Sequence, residues 1–389
     1  METGKIRDDF PIFQERTELS YLDNAATTQK PAQVIEAVEK FYSQNNSNVG
    51  RGLYDLAADS TKAYSQARKN IAEFIGADAD ETVFVRGCTE AVNLLASSLD
   101  IEGRMALPEL AHHSEQLPWR ENFEEIDFIP VKDGKIDIDA AEELITQKTA
   151  VVSVPHVSNV YGTVQPVEQL VELAHENDAL VVLDAAQSVP SMPVDFHELD
   201  VDFAMFSGHK MLGPTGIGVL YGKRNLLEEM TPYQVGGGMV DSVTKQEVEY
   251  KPAPEKFEAG TPNIAGAVGL SAAVDYLRQF EPEEILEHER ELNRHLVKQL
   301  RTIEGIKVLS PVEATITSFT AEFAHPHDIA EVLNQNNVAV RAGNHCAQPL
   351  MEKHGINGTV RASPYIYNTE KDVRRLVRAV KEAKRVFDV

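Results

Sequence analysis

The stretch that most constrains this chain is Val201-Asp-Phe-Ala-Met-Phe-Ser-Gly-His-Lys210, followed by Met-Leu-Gly-Pro-Thr-Gly-Ile-Gly-Val-Leu-Tyr221. Its first part reads as a buried strand, apolar apart from Asp202. The chain then turns at Ser207-Gly208 and leaves Lys210 where the strand ends. A loop rich in glycine (Gly213, Gly216, Gly218) leads into a second apolar strand. Apolar surroundings disfavour an ammonium ion, and a neutral amine can attack a carbonyl to form a Schiff base. A lone loop lysine is more often an ordinary solvated one. Ser207 and His209 argue for more here, because both can donate hydrogen bonds to a phosphate.

Such a strand needs a sheet around it. Strand-like and helical runs alternate through the first two-thirds of the chain, which predicts an α/β fold with a mostly parallel sheet flanked by helices. Helices are expected over 31–42, 60–75, 90–98 and 167–177. Strands are expected over 82–86, 150–154 and 179–183, with a brief extended piece at 128–131. From about Gly266 the character changes. A long helical pattern, broken near Pro282, runs to about Ile303, and shorter strands follow at 315–323 and 338–341. The last helix is the clearest, with Thr369 as N-cap, Val373, Leu376, Val377 and Val380 on one face, and basic residues in its final turns. We expect a large α/β domain over 21–265, and a small α+β domain built from 1–20 and 266–389.

Composition narrows the class. A chain of 389 residues can bury a large core. A formal charge of −24 makes nucleic acid or an anionic membrane an improbable partner. No run is apolar enough for a membrane span, and the first twenty residues are too polar for a secretory signal. With only Cys88 and Cys346, a disulfide framework is not expected and the reducing cytoplasm is the default.

Ligands of parallel α/β sheets bind beyond the carboxyl ends of the strands, and several polar groups fall there. Asp184 ends an apolar strand, where its carboxylate could keep a pyridine nitrogen protonated or merely cap the next helix. Gly87-Cys88-Thr89 turns from strand to helix and could cradle a phosphate on backbone N–H groups. Asn159 again follows a strand. His112 and His113 lie in the loop Leu110-Ala-His-His-Ser-Glu115, and an imidazole can stack on an aromatic cofactor or move protons. Farther on, Arg341 and Arg361 suit a substrate carboxylate, which guanidinium groups bind bidentately. Cys346 follows Gly, Asn and His rather than apolar residues, which favours a reactive thiol beside His345 over a structural one. Cys88 reads as a small packing residue beside the phosphate turn.

Together these groups meet the needs of a pyridoxal 5'-phosphate (PLP) enzyme acting on an amino acid, and here a resemblance becomes specific. Nearly the whole chain resembles the class V aminotransferase family of fold type I, and more narrowly the group II cysteine desulfurases of the SUF iron–sulfur system, which are close to selenocysteine lyases. The motifs that carry it include Tyr21-Leu-Asp-Asn-Ala-Ala-Thr-Thr-Gln-Lys-Pro31, Val85-Arg-Gly-Cys-Thr-Glu90, His156-Val-Ser-Asn-Val160 and Asp184-Ala-Ala-Gln187. Phe206-Ser-Gly-His-Lys210, Phe257-Glu-Ala-Gly-Thr-Pro-Asn263, Arg341-Ala-Gly-Asn-His-Cys-Ala-Gln-Pro-Leu-Met351 and Arg361-Ala-Ser363 complete it.

The resemblance implies that Lys210 carries PLP and moves the Cα proton, that Asp184 pairs with the ring nitrogen, and that His112 stacks on the ring. Gln187 and Asn159 would sit near the ring hydroxyl, while Cys88, Thr89, Ser207 and His209 hold the phosphate. Thr261 would reach the phosphate of the neighbouring subunit of a homodimer. Arg361 and Asn159, with Arg341 nearby, would take the carboxylate of L-cysteine, and Cys346 would leave alanine and a persulfide. A dedicated SUF acceptor protein would receive the sulfur, and His327 in His325-Pro-His-Asp328 resembles relatives whose acceptor bears zinc. The pattern departs from the family at Gly50, Tyr54, Cys88, Ala111, Ala185 and Asn344. Selenocysteine lyase, cysteine sulfinate desulfinase, aminotransferase and a PLP-binding interaction platform are the alternatives.

Overall fold

The computed structural model describes residues 3–387. Seven strands form one sheet in the order Thr82–Val85, Gly218–Gly222, Phe203–Ser207, Leu180–Asp184, Thr149–Pro155, Arg104–Pro108 and Ile126–Ile129. Only Gly218–Gly222 runs against its neighbours; the other adjacent pairs are parallel. The central strands are near-continuous apolar runs because helices cover both faces, as parallel sheets require. The strand at 104–108 escapes the sequence pattern because Met-Ala-Leu is too short an apolar run to be distinguished as a strand.

Register decides what meets at the carboxyl edge. Asp184 pairs with Pro155 on one side and Met205 on the other. The ends of three parallel strands are therefore level, and the loops leaving them, through His156, Ala185 and Gly208, open at one edge. The expected helices form with shifted ends. The second begins at Asp55, and the third at Cys88, directly after Gly87. The long pattern after 264 divides into Ile264–Leu277 and Pro282–Leu300, with Pro282 in the first turn of the second piece, where its missing N–H costs nothing.

A second, antiparallel sheet has the order Ile306–Val308, Thr317–Ala321, Thr359–Ala362, Arg341–Gly343. The expected strand at 338–341 is two short ones: Val338–Ala339 pairs with Ser20–Tyr21, and Arg341–Gly343 joins the antiparallel sheet. Glu370–Phe387 buries Val373, Leu376, Val377 and Val380 against this sheet's core. The Asp372 carboxylate accepts from the Thr369 N–H (2.8 Å) at its start. The N-terminal arm is tied down by Phe10, whose ring lies 5.9 Å from that of Tyr276 and 4.6 Å from that of Tyr367. No helix among the described residues is long and apolar enough to cross a membrane.

Candidate active site

At the carboxyl edge of the large sheet, roofed by the small one, lies a cavity of about 620 Å³. It brings together Cys88, Thr89, His112, Asn159, Asp184, Gln187, Ser207, His209, Lys210, Arg341, Cys346 and Arg361. Thr261 is elsewhere, on an open groove with Tyr64, Arg68 and Glu258.

The floor is set by strand ends. Asp184 Oδ1 accepts from the Ala186 N–H (2.9 Å). Burial pushes its acidity down, raising the pKa, while Lys210 pulls the other way. Behind it Glu115 is 1 % exposed, receives a hydrogen bond from Ser153 Oγ (2.9 Å), and has Oε2 buried without a partner. Burial first, and the Asp184 charge second, raise the Glu115 pKa well above the carboxylate range, so this is the carboxyl group that stays protonated. Gln187 Nε2 donates to the Ala25 carbonyl (2.9 Å), which turns the amide along the cavity wall. His112 caps the helix His113–Arg120; its Nδ1 accepts from the Ser114 N–H (3.1 Å). The proton of the neutral ring is therefore on Nε2. Burial, and then Lys210, hold His112 down to about 3, so the ring is neutral.

One end of the floor is built for an anion. The helix Cys88–Ser98 starts here, after Gly87 at φ +151°. A Cβ at Gly87 would lie 3.0 Å from Ser207 Oγ, and one at Gly218 would lie 2.7 Å from Gly87 Cα. Glycine at both positions lets the turn press against the strand that delivers Lys210. Ser207 Oγ accepts from the Cys88 N–H (3.0 Å) and donates to Cys88 Sγ (3.2 Å). Burial pushes the Cys88 thiol up to about 12, so it is inert. His209 is held down to about 4, by burial and then by Lys210 and Lys30, leaving a neutral imidazole.

The opposite wall carries Cys346, which is exposed, in a turn where His345 (φ +52°) and Cys346 (φ +56°) are both left-handed. Side chains rarely adopt that backbone, so the turn needs support. Asn344 supplies it: its Oδ1 accepts from the Cys346 N–H (3.0 Å) and its carbonyl from the Ala347 N–H (3.0 Å). The Cys346 carbonyl accepts from the His113 N–H (2.8 Å), which stitches this turn to the His112 turn. His345, beside Cys346 in sequence, has its ring tied to the small sheet. Its ring is buried, with Nε2 2.8 Å from Thr359 Oγ1, and burial followed by the Arg361 charge holds it down to about 3. A neutral, inward ring anchors the loop and lends the thiol no charge.

Arg361 is 3 % exposed, donates from Nη1 to the Asn159 carbonyl (2.9 Å), and keeps Nε buried without a partner. Burial holds its pKa down to about 10. Arg341 is half exposed, and its Nη2 lies 2.9 Å from Asp23 Oδ2. Asp23 Oδ1 is also 3.6 Å from Arg361 Nη2, so this one carboxylate braces both arginines. Asp23 was visible only as part of the Tyr21–Pro31 motif; nothing in its local pattern predicts a partner more than three hundred residues away. Asn159 turns its amide to the His345 carbonyl (2.8 Å), bridging the arginine and the cysteine turn.

The residues fit a planar phosphate ester bearing a ring nitrogen, as PLP does: a helix N-terminus with hydroxyl and imidazole donors at one end, a carboxylate on the floor, an amine at the strand end. The Arg361 guanidinium lines the cavity with N–H donors to spare, which suits a carboxylate.

Comparison with known proteins agrees. The family model for class V aminotransferases matches residues 20–376. The chain is 41% identical to the cysteine desulfurase of Haloferax volcanii, over 100% of this chain and 98% of the relative. It is similar to the crystal structure of the cysteine desulfurase CsdA (S-sulfonic acid) from Escherichia coli, with TM-score 0.93 and 35% identity over 100% of this chain and 99% of that one. The apo cysteine desulfurase of Thermococcus onnurineus gives TM-score 0.92 and 36% identity over 97% of each chain.

Proposed function

The chain belongs to the class V aminotransferase family and is a PLP-dependent cysteine desulfurase, and on that premise we propose that Lys210 holds the cofactor and Cys346 carries the sulfur away as a persulfide. The observation that supports the reading most is that the strand-end amine of Lys210 and the exposed thiol of Cys346 line one cavity. PLP, when bound, supplies an electron sink for the bonds around the substrate Cα.

The residues do the rest. The turn at Cys88-Thr89, with Ser207 and His209, would hold the phosphate, Asp184 would keep the ring nitrogen protonated, and neutral His112 would pack on the ring. Gln187 and Asn159 would lie near the ring hydroxyl. The Arg361 guanidinium takes the carboxylate of L-cysteine, and Arg341, half exposed and tied to Asp23, lines the same cavity. Lys210 removes the Cα proton and returns it. The Cys346 thiolate forms an S–S bond to the substrate sulfur as the Cβ–S bond breaks. The bonding pair stays with the carbon skeleton, which gains protons and leaves as alanine.

The finer reading is that the persulfide serves SUF iron–sulfur assembly through an acceptor protein that approaches the mouth of the cavity, where His325 and His327 flank Cys346. A cytoplasmic homodimer is part of this reading. Two free thiols suit a reducing compartment, and Leu53, fully exposed beside half-exposed Tyr54, suits a covered surface. Alanine release from cysteine, selenocysteine and cysteine sulfinate by wild type and Cys346→Ala tests the assignment. The variant should lose turnover of cysteine and keep the other two, whose leaving groups need no thiol. Equal loss on all three, or none on cysteine, contradicts it.

A further inference from the structure

The motif at 21–31 contains a lysine that the reaction above does not use. Lys30 is partly buried, and its Nζ donates to the His209 carbonyl (3.0 Å) and to the Thr28 carbonyl. The His209 carbonyl belongs to the peptide that joins His209 to Lys210, so it orients the stem of the lysine that follows. Three more donors converge on it: the Thr28 N–H (3.0 Å), Thr28 Oγ1 (3.1 Å) and Thr27 Oγ1 (3.1 Å). All four donors come from residues 27–30 and share the carbonyl's two lone pairs, so one segment holds this peptide. Thr28 Oγ1 also accepts from the Leu212 N–H (2.9 Å), on the far side of the turn. Leu212 has φ +66°, a strained conformation for a branched residue that persists only where neighbours fix it. The same segment is tied elsewhere: the Gln29 N–H donates to Tyr367 Oη (3.0 Å), and Asn24 Nδ2 donates to the Ser363 carbonyl (2.7 Å).

We propose that Lys30 is a positioning residue for Lys210: with Thr27 and Thr28 it clamps the His209–Lys210 peptide and so fixes where the cofactor-bearing amine points. The inference rests on Lys210 carrying PLP. An ammonium is the donor best suited to this place, because a charged donor binds a carbonyl more strongly than a hydroxyl does. Burial pushes Lys30 down to about 8, and its charge contributes to keeping His209 neutral beside the phosphate subsite.

The test titrates cofactor-free protein with PLP and records the visible circular dichroism of the bound cofactor, which reports its orientation. Lys30→Met keeps the aliphatic stem and removes the donor. It should raise the PLP dissociation constant about tenfold, the size of one charge-assisted hydrogen bond, and change the dichroism per bound cofactor. Lys30→Arg, which restores a cationic donor, should recover the wild-type sign of the signal. Thr27→Val deletes one hydroxyl donor and should weaken binding in the same direction by less, which keeps the inference testable if Lys30→Met does not fold. Affinities within about twofold of wild type, with unchanged dichroism in Lys30→Met or, failing that, Thr27→Val, overturn the clamp. If wild type itself forms no borohydride-fixed adduct on Lys210, the cofactor assignment falls, and this inference with it.

Discussion

Replacing Arg361 by lysine should raise KM for L-cysteine roughly ten- to a hundredfold with little change in kcat, the value of one charge-assisted hydrogen bond at about 1.5–3 kcal/mol. The magnitude follows from how the guanidinium is used. Nη1 donates one hydrogen bond to the Asn159 carbonyl and Nη2 lies 3.6 Å from Asp23, so of the five N–H donors of the fork those on Nη1 and Nη2 that face the cavity remain for substrate. A lysine offers one nitrogen in place of the fork and cannot hold Asn159 and a carboxylate in the same geometry. The carboxylate is present in ground and transition states alike, so the loss appears in KM. Arg341→Lys is the control: that side chain is half exposed, and its contact with Asp23 should be worth less than about 1 kcal/mol. Steady-state alanine formation from L-cysteine and from L-cysteine amide reads the effect, and the Arg361 penalty should shrink on the amide. A KM change under about threefold in Arg361→Lys, or an equal penalty in Arg341→Lys, would refute the reasoning.

Glu289 is buried, takes a hydrogen bond from Ser191 Oγ (2.8 Å), and burial pushes it up to about 8. Its folded form therefore keeps a proton that the unfolded chain releases near the usual carboxylate pKa; that stability is present at acid pH and fades as pH rises toward 8. Glu289→Gln should gain on wild type by about 2.5 kcal/mol between pH 5 and 7, at about 1.4 kcal/mol per pH unit, in denaturant unfolding; a constant difference counts against it. His345 has the opposite sign: held down to about 3, it is uncharged when folded, so stability is full above its ordinary pKa and falls as pH drops below it. His345→Gln should lose about 2 kcal/mol less than wild type on going from pH 6.5 to 5, by the same measurement. Cys88→Ala should leave alanine formation from cysteine within about twofold of wild type, because its part in the phosphate turn is played by the backbone and its thiol is buried and unionised; a large loss would give the Cys88 side chain a role of its own.

Much of the site was legible because its residues sit at strand ends. Asp184, Ser207 and Lys210 each close or follow an apolar run, and parallel register then makes them neighbours. Cys346 and Arg361 were legible as residue types but not as neighbours, since the small sheet that pairs Arg341 with Arg361 forms between distant segments. Asp23, Glu115 and Lys30 were not legible as site residues. Each acts through a contact the local pattern does not encode: a brace across the chain, a tether to Ser153, a donor to a single carbonyl. His345 is the reverse case: it adjoins Cys346 in sequence, while its ring is tied to Thr359, a contact the local pattern does not encode. The substitution of Asn at 344 becomes intelligible only in that turn, where its side chain accepts the Cys346 N–H.

The most direct test of the whole account adds L-cysteine, one equivalent per site and without reductant, to PLP-loaded protein, alkylates one portion to keep the persulfide, reduces a separate portion of the loaded protein with borohydride to fix the cofactor, and maps the peptides by mass. The expected result is a pyridoxyl group on Lys210, one extra sulfur on Cys346, none on Cys88, and one alanine released per sulfur bound. Alanine formed with no added sulfur on Cys346, or a pyridoxyl group fixed to a lysine other than Lys210, would contradict it.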